Sequence, residues 1–153
     1  MLETPHVVLG AAIATKIPNP WIAIPLAFAS HFVLEKVPHW NPHINTEIKK
    51  YGHVTTKSTI IIVIDSTLAL AVGSYIAWLA LPNTAHAATI LLASLASIMP
   101  DLIEAPYFFL KLRSKFILKW LAFQKSIQVD ITPFWGLLFQ TITILACFWW
   151  IRT

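Results

Sequence analysis

From Thr59 to Leu81 the chain carries one charged side chain, Asp65, in an otherwise apolar run. A helix that long crosses the hydrocarbon layer of a membrane, which takes about 20 apolar residues. In lipid no water is available to pair exposed backbone groups, so each N–H and C=O must find its partner inside the segment. Helix is therefore the expected state of this run, and a charge inside it needs a reason.

Four further apolar segments accompany it. They run from roughly Pro5 to Ile17, from Trp21 to Val37, from Ala85 to Leu110 with interruptions at Pro100 and Pro106, and from Ile131 to Ile151. The first is short of a comfortable span and reads as a tilted or re-entrant helix. Of the 153 residues, 57% are hydrophobic and 12% charged, against about a quarter charged in soluble domains. The expected fold is all-α: a polytopic membrane helix bundle of about five apolar segments in one integral-membrane domain spanning residues 1–153. Cys147 is the single cysteine, which excludes an intrachain disulfide and a multi-cysteine zinc module. Met1 to Glu3 supply no basic stretch, and Pro18, Pro20 and Pro25 interrupt the apolar run downstream, so a cleaved signal peptide is not expected.

Loop charges predict the orientation. Lys36, Lys49, Lys50 and Lys57 fall in one connection; Lys111, Arg113, Lys115, Lys119 and Lys125 fall in another; the Pro82-Asn83-Thr84 turn between them has none. Positive charge stays on the cytoplasmic side, which predicts an inner-membrane protein with a cytoplasmic N-terminus and an external C-terminus. The net charge of +4 then speaks for contact with anionic lipid, not nucleic acid. Residues Arg113 to Ile127 mix cations with apolar and aromatic side chains at helical spacing. They predict an amphipathic helix, lying on the cytoplasmic leaflet or packed on the bundle.

On this orientation several ionisable groups share one depth. His31, Glu35 and His39 are spaced by four and stack on one face if the helix continues through Lys36 and Val37. Asp65 lies roughly 10 Å into its span at 1.5 Å per residue. Asp101 and Glu104 are neighbours three residues apart. His6 reaches the same side if the first segment spans, and Gln128 and Asp130 precede the last segment there. Ionisable groups in a membrane are costly and mark functional sites. The third and fourth segments contain no Lys or Arg to neutralise their carboxylates, so a divalent cation is the economical partner. His6, His31, Glu35, Asp65, Asp101 and Glu104 are the candidate metal ligands. Mixed imidazole and carboxylate ligation suits zinc first, with manganese or iron as alternatives. His43 and His53 read as solvated loop residues, and His86 falls on the outer side.

These residues also carry a family resemblance. Pro5-His6, Ser30-His31-Phe32-Val33-Leu34-Glu35 and Met99-Pro100-Asp101-Leu102-Ile103-Glu104 resemble three boxes of the YdjM-like family of inner-membrane, metal-dependent hydrolases. The likeness covers about a quarter of the chain. Glu35 stands where that family has Asp, Ile103-Glu104 where it has Asp-His, the order of two boxes is exchanged, and its His-Arg-Gly box has no counterpart. The resemblance implies metal-site roles for His6, His31, Glu35 and Asp101, with Glu104 as a substitute. The pattern His31-x-x-x-Glu35-x-x-Pro38-His39 is more loosely similar to zinc-dependent phospholipases C.

The leading expectation is a membrane-embedded metal-dependent hydrolase acting on a lipid-linked phosphoester or similar bond at the cytoplasmic leaflet. Glu35 or Glu104 would serve as general base and His39 would stabilise the leaving group. Membrane lipid is both environment and candidate substrate. Two other readings stand beside it: a non-catalytic protein with a structural metal, and a small cation or proton transporter. Ala69 and Gly73-Ser74 offer a small-residue face for packing in the bundle or in a homo-oligomer.

Overall fold

A computed structural model describes residues 1–153. Seven helices follow one another: α1 Glu3–Lys16, α2 Pro20–Leu34, α3 Ile44–Tyr51, α4 Thr56–Trp78, α5 Thr84–Phe109, α6 Lys115–Ile127 and α7 Pro133–Arg152. There is no sheet; one isolated bridge joins His39 and Asp130.

The short first segment occupies the middle of the bundle. Ten of the 14 residues of α1 are buried, among α2, α4, α5 and α7. A helix apolar on all sides belongs in an interior, and α1 is built for close approach. A methyl group on Gly10 would stand 2.8 Å from the Ala93 carbonyl oxygen and 2.8 Å from Ser97 Oγ. Ala11, Ala12 and Ala14 continue that small surface into a cluster with Ala23, Ala27, Ile76, Ile90 and Ala93. Small residues of this kind let helix backbones meet, and dispersion contacts then hold them.

Three helices, α4, α5 and α7, are long and apolar enough to cross a membrane. That is fewer than the five apolar segments in the sequence. At 14 and 15 residues, α1 and α2 fall below the length of a span, and the apolarity of α1 serves burial in protein. The outward faces of the long helices are apolar, with Leu68, Leu70, Leu92, Leu95, Leu145 and Trp149 all exposed. A surface that apolar needs a hydrocarbon neighbour.

Three local expectations are also corrected. Pro100 and Pro106 do not break the fourth segment, since α5 runs through both; neighbouring helices offset the lost hydrogen bonds. The loop after α2 contains the unforeseen helix α3, closed by Gly52 at φ 74°, a left-handed position that glycine adopts freely. And α2 ends at Leu34 with Glu35 as its C-cap. Pro38 bars its predecessor from helical geometry, so His39 does not sit one turn beyond Glu35 on the same helix.

Helix α6 packs on the bundle. Its face of Trp120, Leu121 and Gln124 lies against α5, and Trp120 Nε1 donates to the Pro100 carbonyl at 3.0 Å. Phe116, Leu118 and Phe123 stay exposed on the other side, which is the amphipathic pattern that the sequence predicts.

Candidate metal centre

The N-terminus of α1, the C-terminus of α2 and the second half of α5 meet at one end of the bundle. The antiparallel packing of α1 with α5 sets this up: Gly10 meets Ala93 and Ser97, so about one turn earlier on α1 His6 comes level with Asp101. His6, His31 and Asp101 each offer one ligand atom, and these atoms all lie within 4.8 Å of one another. The two imidazoles are fully buried and stacked, with ring centroids 4.1 Å apart. His31 Nε2 is 3.6 Å from Asp101 Oδ1.

Hydrogen bonds fix which nitrogen of each ring is free. His31 Nδ1 lies 2.9 Å from the Ser97 carbonyl. A carbonyl only accepts, so Nδ1 carries the proton and Nε2 turns its lone pair toward Asp101. His6 Nε2 stands 3.3 Å from Glu35 Oε1 and donates to it, leaving Nδ1 buried without a partner. In metal sites a ligating histidine characteristically donates its other N–H to a carbonyl or carboxylate, which sets the ring's tautomer and basicity. Both rings here have that arrangement.

Glu35 therefore supports the group. Its Oε1 also receives the Met1 nitrogen at 2.5 Å, and its Oε2 faces His39 Nε2 at 3.8 Å. His39 is held by backbone pairing: its N–H donates to the Val129 carbonyl at 3.1 Å and its carbonyl accepts from the Ile131 N–H at 3.0 Å. His39 Nδ1 donates to the Val37 carbonyl at 2.8 Å. The segment before α7 thus brings His39 to Glu35 in place of a further helical turn.

Asp65 has a different employment from the one expected. Its Oδ2 accepts the Glu3 N–H at 2.5 Å, and its Oδ1 accepts the Thr4 N–H at 3.3 Å and the Thr4 hydroxyl at 2.7 Å. The first N–H groups of a helix have no partner within it, and Leu2 at the N-cap of α1 has no polar side-chain atom to offer. Asp65 from α4 caps α1 across the bundle, and Gln140 from α7 takes the Leu2 N–H at 2.9 Å. A carboxylate at a helix N-terminus is also favoured by the helix dipole.

Glu104 stands outside the three-residue group. Its Oε1 is buried without a hydrogen-bond partner, and its side chain lines a cavity of about 280 Å³ together with Glu3, Asp65, Asp101, Lys125 and Gln128. His43, exposed as expected, borders the same cavity. His53 is exposed, and its Nδ1 donates to the Tyr51 carbonyl at 2.9 Å. His86 lies at the opposite end of α1, 3.0 Å from the Ala14 carbonyl.

Gln124 was not foreseen. It is 1% exposed, and its Nε2 lies 3.1 Å from Asp101 Oδ1 and 3.3 Å from His31 Nε2. The amide donates to Asp101, so Gln124 ties α6 to one candidate ligand and stands beside the His31 lone pair that a metal would take. The available signal was an uncharged polar residue at i+4 from Trp120 on the packed face of α6. Glu3, whose Oε2 is buried without a partner, was also missed, because a carboxylate so near the start of a sequence reads as solvated.

No protein-family model, no curated protein and no solved structure matches this chain.

Proposed function

We propose that this protein is a membrane-embedded hydrolase in which His6, His31 and Asp101 hold a divalent cation, zinc first, and that its substrate is a lipid-linked phosphoester or similar bond. One observation carries the reading. Two buried imidazoles with oriented lone pairs and a carboxylate, drawn from three helices, have their ligand atoms within 4.8 Å, beside a cavity that holds an unpartnered carboxylate.

Three protein ligands leave a fourth position open, as in catalytic zinc sites. A divalent ion there supplies Lewis acidity and an ionised water near neutral pH. The protein's own groups do the rest. Glu104, with no hydrogen bond to satisfy it, is the general base that takes a proton from the attacking water. Glu35 holds His6 in its ligating tautomer, and Ser97 does the same for His31. His39, fully buried beside Glu35 and outside the cavity lining, backs Glu35 and does not reach a leaving group. Lys125 at the cavity wall attracts an anionic headgroup, and the basic loops favour the cytoplasmic leaflet as its source. The YdjM-like resemblance of the boxes around His6, His31 and Asp101 supports the same reaction class.

Transport is the weaker reading, because the half of the bundle away from the site is filled by the apolar cluster around Ala11, Ile76 and Ile90. A pathway needs polar groups along its length.

The test is metal analysis of the purified full chain together with turnover on phospholipid vesicles. About one equivalent of a divalent metal is expected, falling to background in His31→Ala and Asp101→Ala with hydrolysis lost in parallel. Wild-type protein that retains no metal after exposure to zinc, manganese or iron overturns the proposal. Bound metal with full protein coordination and no turnover assigns it a structural role instead.

A further inference from the structure

The polar cavity has an apolar neighbour. A groove of about 230 Å³ runs between α4 and α5 over the surface of α1, and it shares Glu3, Ser66 and Leu102 with the cavity at the candidate metal centre. Along α4 it extends from Ser66 to Ser74, about 12 Å at 1.5 Å per residue. Its floor is made of small buried residues, Ala69, Gly73 and Ser94, and its walls of Leu70, Leu91 and Leu95. We infer that this groove takes one hydrocarbon chain of a membrane lipid whose headgroup occupies the polar cavity lined by Asp101 and Glu104.

Three features choose that occupant. The groove lies on the two longest apolar helices, α4 and α5, so its mouth opens toward the acyl chains of the surrounding bilayer. Leu70 is 72% exposed and Leu91 45% exposed, and such walls face hydrocarbon without cost only in lipid or against a chain. The shared residues join an apolar slot to a polar, partly anionic cavity holding Lys125, which is the polarity profile of an amphiphile. A water-soluble substrate would have no use for the slot. The small floor residues leave depth for one chain, whereas Leu or Phe there would close the groove. The inference rests on the reading of the polar cavity as a headgroup site.

The experiment uses the full-length protein reconstituted in phosphatidylcholine vesicles with a trace of phosphatidylglycerol carrying a photoreactive diazirine on one chain. Cross-links are mapped by mass spectrometry. Labelling concentrated between Ala69 and Ser74 and between Leu91 and Leu95 is expected, well above that of Phe134 and Leu145 on α7, which are more exposed than Leu91 and Leu95. Labelling in proportion to exposed apolar area on all helices overturns the inference. Ser74→Trp and, separately, Leu91→Trp place an indole at exposed positions on the groove. Each is expected to cut groove labelling at least tenfold while labelling on α7 and metal content stay at wild type; unchanged groove labelling in both variants overturns the inference. His31→Ala should keep the groove labelling. A protein that holds no metal but labels in the groove therefore refutes the hydrolase reading and leaves the chain site standing.

Discussion

The carboxylate of Asp65, in the middle of α4, accepts the backbone N–H of Glu3, in the first turn of α1, at 2.5 Å. One helix is capped by another across the bundle, and the capped end is the end that carries His6. Asp65 thereby sets the height of His6 relative to His31 and Asp101 without entering their group.

Asp65→Ala leaves two backbone N–H groups without their acceptor, and the Thr4 hydroxyl with only the backbone carbonyl of residue 65 at 3.2 Å, in a site that is 8% exposed. A buried donor that loses its partner costs about 1–3 kcal/mol. The variant should unfold at lower temperature in detergent while its folded fraction still binds metal at wild-type stoichiometry. Asp65→Asn keeps one accepting oxygen and should lose less. Metal binding abolished in both variants while their melting temperatures hold would make Asp65 a ligand.

Gln124 acts on the site through Asp101, to whose Oδ1 it donates at 3.1 Å. Gln124→Leu keeps the volume and removes the hydrogen bond to Asp101. Loss of a residue that orients metal ligands reduces metal affinity by about 10–100-fold, and competition against a chelator of known strength would measure that. An affinity unchanged in Gln124→Leu would reduce Gln124 to a packing residue.

Gly10 and Gly73 should respond to alanine in graded fashion. At Gly10 the added methyl meets the Ala93 backbone carbonyl and Ser97 at 2.8–2.9 Å, whereas at Gly73 its tightest contact is the Val7 side chain at 2.9 Å. Backbone cannot step aside as a side chain can. Gly10→Ala is expected to cost about 1–3 kcal/mol by overpacking, and Gly73→Ala less, as read from melting temperatures of the two variants side by side. The reverse order would mean that α1 and α5 are not in contact at Gly10.

Glu47 supplies a pH test outside the spans. Partial desolvation pushes its carboxyl up, but hydrogen bonds from the Thr55 N–H, the Ser58 hydroxyl and the Thr55 hydroxyl outweigh it and hold the group below its ordinary value of 4.5. These bonds, at 2.8, 2.7 and 3.0 Å, tie α3 to the first turn of α4. A carboxyl with a lowered folded pKa stabilises the fold above its unfolded pKa, and that contribution is lost as pH falls through the folded value. The protection of α3 amides against hydrogen exchange, taken relative to the intrinsic rate at each pH, should therefore fall below about pH 4.5. In Glu47→Gln the protection should be lower at neutral pH and flat across that range; a Glu47→Gln protection profile that still falls in acid would assign the effect to another group.

Much of this molecule is legible in its residues. Apolar runs interrupted by few charges dictate helices, because lipid and a protein interior alike forbid unpaired backbone, and the segments from Thr59 and from Ala85 are found within a few residues of their expected bounds. The grouping of His6, His31 and Asp101 at one end was also visible, since helices joined by short turns return each polar residue to a calculable depth. Depth is one coordinate of three. The rotation of each helix about its axis was not visible, and it is set by which small residues touch: Gly10 on Ala93, Gly73 on Val7. That rotation turns Asp65 to the backbone of α1, brings Gln124 of a surface helix under Asp101, and leaves Glu104 facing a cavity. The sequence by itself determined that costly polar groups share one layer of an apolar bundle; the tertiary packing alone decided which of them face one another, because a helix periodicity fixes neighbours along one helix and contains no information about the angle at which the next helix meets it.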